Sequence, residues 1–249
     1  MNQLPSESAN RVDRDAASAD VRELLVTNDF RSIPAAELRT LSDSLGQWLG
    51  VLFRYKILRS KLLPAYAIEL RRMIKGEAKH IPKRILRHFD ALKAKLEPLN
   101  FAPGFYANVP ALGPYSAAVM AMSRQDGEIH MIASQIVTQD HELIKDEGYF
   151  GFTTWLSDEN LVVTVSLANL PRPREGVDRI IVDSDDPTVL LKKHRQRLRK
   201  LEIQPVAASN LFQRVEDENR RQTDDLLRRR VIRPATPAEV TRIRKDIRV

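Results

Sequence analysis

The 249 residues predict an α+β fold: an antiparallel sheet of about five strands, a following helix packed on it, and helical N- and C-terminal flanks. Three observations carry this. Apolar residues alternate with polar or small ones between Tyr115 and Val182, the period of a half-buried sheet. On either side, the apolar period lengthens to three or four residues. Charge follows the same division, with net charges of −2, +8, −7 and +8 for residues 1–34, 35–98, 99–185 and 186–249.

The elements follow in order. Residues 1–31 read as a disordered lead-in, the first twenty being polar, rich in Ser, Asn, Asp and Ala, and without the apolar region of a secretory signal. A basic helical segment, 32–98, opens at Ser32 and Pro34. Leu38, Leu41, Leu45, Trp48, Leu49 and Leu52 then recur at helical spacing. Pro64 ends or kinks this helix, and a second helical stretch runs from Pro64 to Lys75. A third starts near Pro82, carries Ile85, Phe89, Leu92 and Leu96 on one stripe, and closes at Pro98.

The core domain, 99–204, holds the strands. Tyr115–Met122 and Glu128–Val137 flank Asp126-Gly127, a dipeptide suited to the positive φ of a tight turn. Tyr149–Leu156 and Leu161–Leu167 flank the turn Ser157 to Asn160, and Val177–Val182 follows the Pro171/Pro173 loop. Connections this short predict an antiparallel meander. Asp186 can cap a helix with Pro187 in its first turn, and Leu191, His194, Leu198 and Leu201 form the stripe that would lie on the sheet. The basic helical extension, 205–249, contains a helix from about Asn210 to Arg230. Beyond it, Thr236-Pro237-Ala238-Glu239 has the pattern of a capping box, opening a helix with Val240, Ile243 and Ile247.

Composition excludes several classes. Without cysteine there is no disulfide framework, cysteine-ligated zinc or iron–sulfur site, or thiol nucleophile. The glycine-rich nucleotide loops, the H-E-x-x-H pair, the G-x-S-x-G elbow and the EF-hand loop are all missing. No cofactor or metal is expected, and the reading leans away from an enzyme. No apolar run reaches the 18 or so residues of a spanning helix, and the expected location is cytoplasmic.

The histidines divide by position. His80 and His88 sit on the basic flank, and His130 is expected to point to solvent. His194 falls on an apolar stripe, as a packed imidazole with a satisfied hydrogen bond or, less simply, as a functional base. Asp140, His141, Glu142, Asp146 and Glu147 form an acidic loop without the spacing of a cation cage, and Asp183 and Asp185 raise the same question near the Asp186 cap.

Two surfaces remain. Leu45 to Phe53 contains Gly46 and Gly50, a G-x-x-x-G pair that lets helix backbones approach closely. Gly46, Trp48, Leu49, Gly50 and Phe53 are therefore the candidate contacts of a non-catalytic interaction or adaptor protein. Its partner would be another protein, a second copy, or an anionic membrane surface reached by Arg54, Lys56, Arg59 and Lys61. Packing of the same helix inside the protein is the simpler alternative. The second surface is the basic flanks: Lys83, Arg84, Arg87, Arg228, Arg229 and Arg230 would contact phosphates in a non-specific nucleic-acid binder. Interleaved acids such as Glu216-Asp217-Glu218 and Asp224-Asp225 suit ion pairs on a solvated helix instead.

Overall fold

The computed structural model describes residues 24–28, 30, 32–42, 44–58, 67–69, 72–112, 115–138, 147–166 and 170–246. In chain order the elements are β1 (Leu25–Asn28), α1 (Ala35–Thr40), α2 (Leu45–Val51) with a π-helical continuation (Leu52–Ile57), β2 (Ala67–Glu69), β3 (Ile74–Gly76) and α3 (Lys83–Leu96). Next come β4 (Phe101–Val109), β5 (Ala111–Leu112), β6 (Tyr115–Arg124), β7 (His130–Thr138), β8 (Glu147–Trp155), β9 (Leu161–Val165) and β10 (Val177–Ile181). The chain continues with α4 (Pro187–Leu198), α5 (Ala208–Arg228), β11 (Ile232–Pro234) and α6 (Pro237–Asp246).

The fold is α+β, as the sequence predicts, but with two sheets. The larger has seven strands rather than about five, in the order β10-β9-β8-β7-β6-β4-β3. The smaller has four short strands, β11-β1-β2-β5. Strands β6 to β9 form the expected antiparallel meander. The fifth predicted strand departs from it, because β10 runs parallel to β9, with Val177 opposite Leu161. Among its described residues the Pro171/Pro173 connection has no helix, and the hydrophobic pattern carries no mark of the strand's direction.

Strand β1 falls in the segment expected to be disordered, because pairing with β11 and β2 buries Val26. Two further stretches differ from expectation for local reasons. The helix expected from Pro64 to Lys75 is replaced, among its described residues, by the three-residue strands β2 and β3. Strand β4 carries Pro103 and Gly104, which ordinarily argue against a strand interior. Here they lie at a bulge: Pro103 pairs with Met122 and Phe105 with Ala121, leaving Gly104 as the extra residue. The bulge reverses the alternation, so Phe101 joins the core on one face and Phe105 the core on the other. A Cβ at Gly104 would lie 3.0 Å from Leu211 of α5 and 3.2 Å from the Ala121 carbonyl. Glycine therefore sets how closely that helix approaches.

The predicted N-terminal helix is also divided. It ends at Thr40 and restarts at Leu45, where the Ser44 hydroxyl accepts the Gln47 N–H at 3.1 Å. Elsewhere the punctuation reads as expected. Gly127 has φ +70° in the β6–β7 turn. Asp186 accepts the Thr188 N–H at 2.9 Å at the start of α4. At α6, Thr236 N–H donates to Glu239 (2.8 Å) and Glu239 N–H to Thr236 (3.3 Å), a closed capping box.

The large sheet has a core on each face. Helices α3 and α4 cover one, burying Ile85, Phe89, Leu96, Leu190, Leu191 and Leu198 against Met120, Met122, Met131 and Phe152. Helix α5 covers the other through Leu211 and Val215 against Phe105, Ala107, Val119 and Ala121. The C-terminal segment thus docks on the core. An ionic cluster joins it to the small sheet's neighbourhood. Arg229 binds Asp225 (2.7 Å), Glu37 (2.5 Å) and the Arg172 carbonyl (2.8 Å), and Glu37 also accepts the Arg172 N–H (3.1 Å). Glu37 and Asp225 are each 5% exposed, and this guanidinium bonds both. Truncation of Glu37 to Ala leaves Arg229 half-matched and is expected to cost about 2–3 kcal/mol. A urea titration checks it, with an unchanged midpoint as the contrary result.

Candidate functional site

Helix α2 and its π-helical continuation place the interaction candidates on two sides. Facing inward, the Trp48 indole N–H donates to the Ala35 carbonyl at 3.0 Å, and Tyr55 stacks on Phe30 with ring centroids 5.3 Å apart. Val51 and Leu52 are half-buried on the same side. Facing outward, Leu45, Leu49, Phe53 and Ile57 recur every four residues and are 52–67% exposed, with Leu58 beside them at 60%. Gly46 and Gly50 share this outer side. Among the described residues, Gly46 has the Ser44 hydroxyl at 4.0 Å from where a Cβ would be, and Gly50 has nothing within 4 Å.

The candidate residues are therefore not equivalent. Leu49, Phe53, Gly46 and Gly50 form one open apolar strip, whereas Trp48 fastens the helix to α1 from behind. The helix thus packs within the protein along its inner side, while this strip stays exposed. No acidic residue lies between Leu45 and Leu58, and Arg54 and Lys56 supply positive charge. Arg59, Lys61 and the acidic residues 140–146 lie outside the described residues.

The basic candidates separate. Lys83, Arg84 and Arg87 are exposed on the first turns of α3, which has no acidic residue there and no side-chain cap. Arg228 ends α5 and Arg229 and Arg230 follow it, on the opposite face of the large sheet. Arg229 is held by the ionic cluster described above, Arg228 reaches Asp225 at 2.5 Å, and Arg230 is exposed with φ +58°.

The histidines resolve by hydrogen bonding. His194 is 0% exposed, with Thr154 Oγ1 2.9 Å from Nε2 and Thr164 Oγ1 2.9 Å from Nδ1. Thr154 already donates to the Glu128 carbonyl at 2.9 Å, so it accepts from Nε2–H, and Nδ1 accepts from Thr164. Both nitrogens are used, and desolvation holds the pKa near 3. His194 is thus the packed imidazole, not a base. His130 overturns the solvent-facing expectation: it is 0% exposed on the α5 side of the sheet, edge-on to Trp155 and bonded through Nε2 to the Gly127 carbonyl at 3.0 Å. Desolvation brings it to about 4. His80 and His88 are exposed. Among the described residues, no three His, Asp or Glu side chains gather to hold a metal, and no helix is long and apolar enough to cross a membrane.

A cavity of 370 Å³ lies between the middle of α5 and strands β7 to β10, lined by Val163, Val177, Arg179, Trp155 and Gln222 among others. Its traces in the sequence are Arg179 at an inward position of β10 and the polar residues Glu218, Asn219, Gln222 and Thr223 of α5. No known protein family, curated protein or solved structure matches the chain.

The buried histidines make stability depend on pH. Both are neutral in the native state, while the unfolded chain takes up protons near pH 6.5, so stability falls as pH drops below that value, continuing to about pH 4 for His130 and 3 for His194. The slope approaches about 1.4 kcal/mol per pH unit for each histidine. Urea midpoints at pH 7.5, 6 and 5 read it directly, and His194→Gln is expected to remove about half. A flat profile would exclude buried neutral imidazoles.

Proposed function

We propose that this chain is a non-catalytic interaction protein, which docks a partner helix on the outer strip of α2. The observation that carries the reading is the exposed row Leu45, Leu49, Phe53 and Ile57 beside two open glycines. Each glycine costs a helix about 1 kcal/mol relative to alanine, and among the described residues nothing crowds the place of a Cβ at either. A second helix lying across Gly46 and Gly50 would gain close backbone approach and cover the apolar row. A second copy of the chain presents the same strip and is the simplest such partner. An anionic membrane is the other candidate, favoured by Arg54 and Lys56 and the absence of acidic residues along the segment.

Light scattering on size-exclusion eluates, with and without anionic vesicles, tests the reading. Leu49→Asp and Phe53→Asp are expected to abolish association without altering the unfolding midpoint, since both side chains are about half exposed. Gly50→Ala is expected to raise monomer stability by about 0.5–1 kcal/mol and weaken association. A chain that stays monomeric and ignores vesicles sinks the proposal.

The second reading, a non-specific nucleic-acid binder, draws on Lys83, Arg84 and Arg87 beside the uncapped start of α3, where backbone N–H groups add positive potential. Affinity for a duplex would then fall linearly with log salt, and the triple Ala variant would flatten that slope. A slope unchanged by the variant rejects it.

A further inference from the structure

We infer that the cavity beneath α5 binds a small single-tailed apolar carboxylate, with its head on the Arg179 guanidinium. The inference begins with an interruption in a helix. Leu211 and Val215 pack on β4 and β6, and Leu226 packs with Val26, Val231 and Ile232 near the small sheet. Between them, α5 turns Glu218, Asn219, Gln222 and Thr223 toward a sheet surface of Val163, Val165 and Val177. A helix covering valines would ordinarily present leucines there. The mismatch leaves the 370 Å³ open instead of filled.

The polar lining is mostly satisfied within the protein. Glu218 holds Arg174 through two bonds of 2.8 and 2.6 Å, the Asn219 amide donates to Met73 Sδ at 3.3 Å, and the Thr223 hydroxyl donates to the Asn219 carbonyl at 2.7 Å. The Arg174–Glu218 pair ties the Pro171–Arg174 segment to α5 and keeps that wall of the cavity in place.

Arg179 is the charged group of the lining that lacks a partner among the described residues. It projects into the cavity from β10, opposite Val163, and is half-buried. Among the described residues its guanidinium makes no hydrogen bond or ion pair. Burial lowers its pKa, Glu37 opposes that effect, and Arg229 reinforces it. Glu37 is already committed to Arg229 and to the Arg172 N–H. The cavity thus offers apolar walls, a planar cationic fork and one uncompensated charge. A carboxylate answers that fork with two parallel hydrogen bonds, and an alkyl tail would lie along the valines.

The volume sits at the small end of ligand pockets, about 300–1,000 Å³. At about 30 Å³ for each water-sized group it holds roughly a dozen non-hydrogen atoms, the size of decanoate.

Isothermal titration of the full chain with decanoate and with 1-decanol tests the assignment. Decanoate is expected to bind at one site, tenfold or more tighter than the alcohol. Arg179→Met should bring the acid to the level of the alcohol while leaving the alcohol within twofold, and Arg179→Lys, charged but without the fork, should fall between. Gln222→Trp, which fills the cavity from a half-exposed helix position, should remove both. Thermal unfolding of each variant confirms that it is folded. Equal decanoate affinity in the wild type and Arg179→Met overturns the inference, as does the absence of heat at millimolar decanoate. Binding lost in Leu49→Asp but retained in Arg179→Met also overturns it, because that pattern marks adsorption on α2.

Discussion

The large sheet is apolar on both faces, and most of the architecture answers that single constraint. Adjacent residues of one strand face opposite cores: Leu161 lies under α5 and Val162 under the α3–α4 layer, and both are buried. One layer of helices would leave half of such a sheet in water, at about 25 cal/mol per Å² of apolar surface. The chain therefore has to return after α4 to the other face. It does so around the sheet's end, where Gln204 N–H bonds the Trp155 carbonyl (2.9 Å) and Val206 N–H bonds the Gly127 carbonyl (2.8 Å). The C-terminal helices are core elements with solvated outer sides.

The same constraint explains the placement of the buried polar groups. His194, Thr154 and Thr164 sit where α4 crosses β8 and β9, and each hydroxyl or nitrogen has a partner. That closed set fixes the helix against the strands by direction as well as by contact, because a shift along the axis would leave bonds unmade at a desolvated position. The Glu37–Arg229–Asp225 cluster does comparable work for α1 and α5. The interior is thus registered by a few polar contacts and filled by apolar ones.

The sequence was legible where one local rule decided the outcome. Alternation located β6 to β9, the Ile85/Phe89/Leu96 stripe located α3, and the Asp186-Pro187 and Thr236–Glu239 signals located two helix starts. It was illegible where tertiary context overrode the local rule. Pro103 and Gly104 hid β4 because a bulge tolerates what a regular ladder does not. The strands β2 and β3 are too short to show a period, and the direction of β10 leaves no trace in alternation. The strip around Leu49 was visible as a candidate because paired glycines in an apolar helix are costly alone. Its exposure was not visible, since the helical period looks the same whether the stripe is covered or bare. The cavity was hidden because it arises from two segments, α5 and β9–β10, whose facing residues are distant in the chain.

The small sheet has a consequence for how the protein comes to be made. Its strand β1 pairs with β11, Asn28 standing opposite Ile232, and with β2. During synthesis at about 5–20 residues per second, β11 follows β1 by roughly 10–40 s. Until then β1 lacks one of its two neighbours, while the meander from β6 to β9 can form from nearby segments. The pairing of β1 with β11 spans one of the longest loops in the described fold, and contacts of such separation bear the largest closure entropy. The small sheet therefore cannot be completed until synthesis has passed Pro234, when all of the large sheet has already been made.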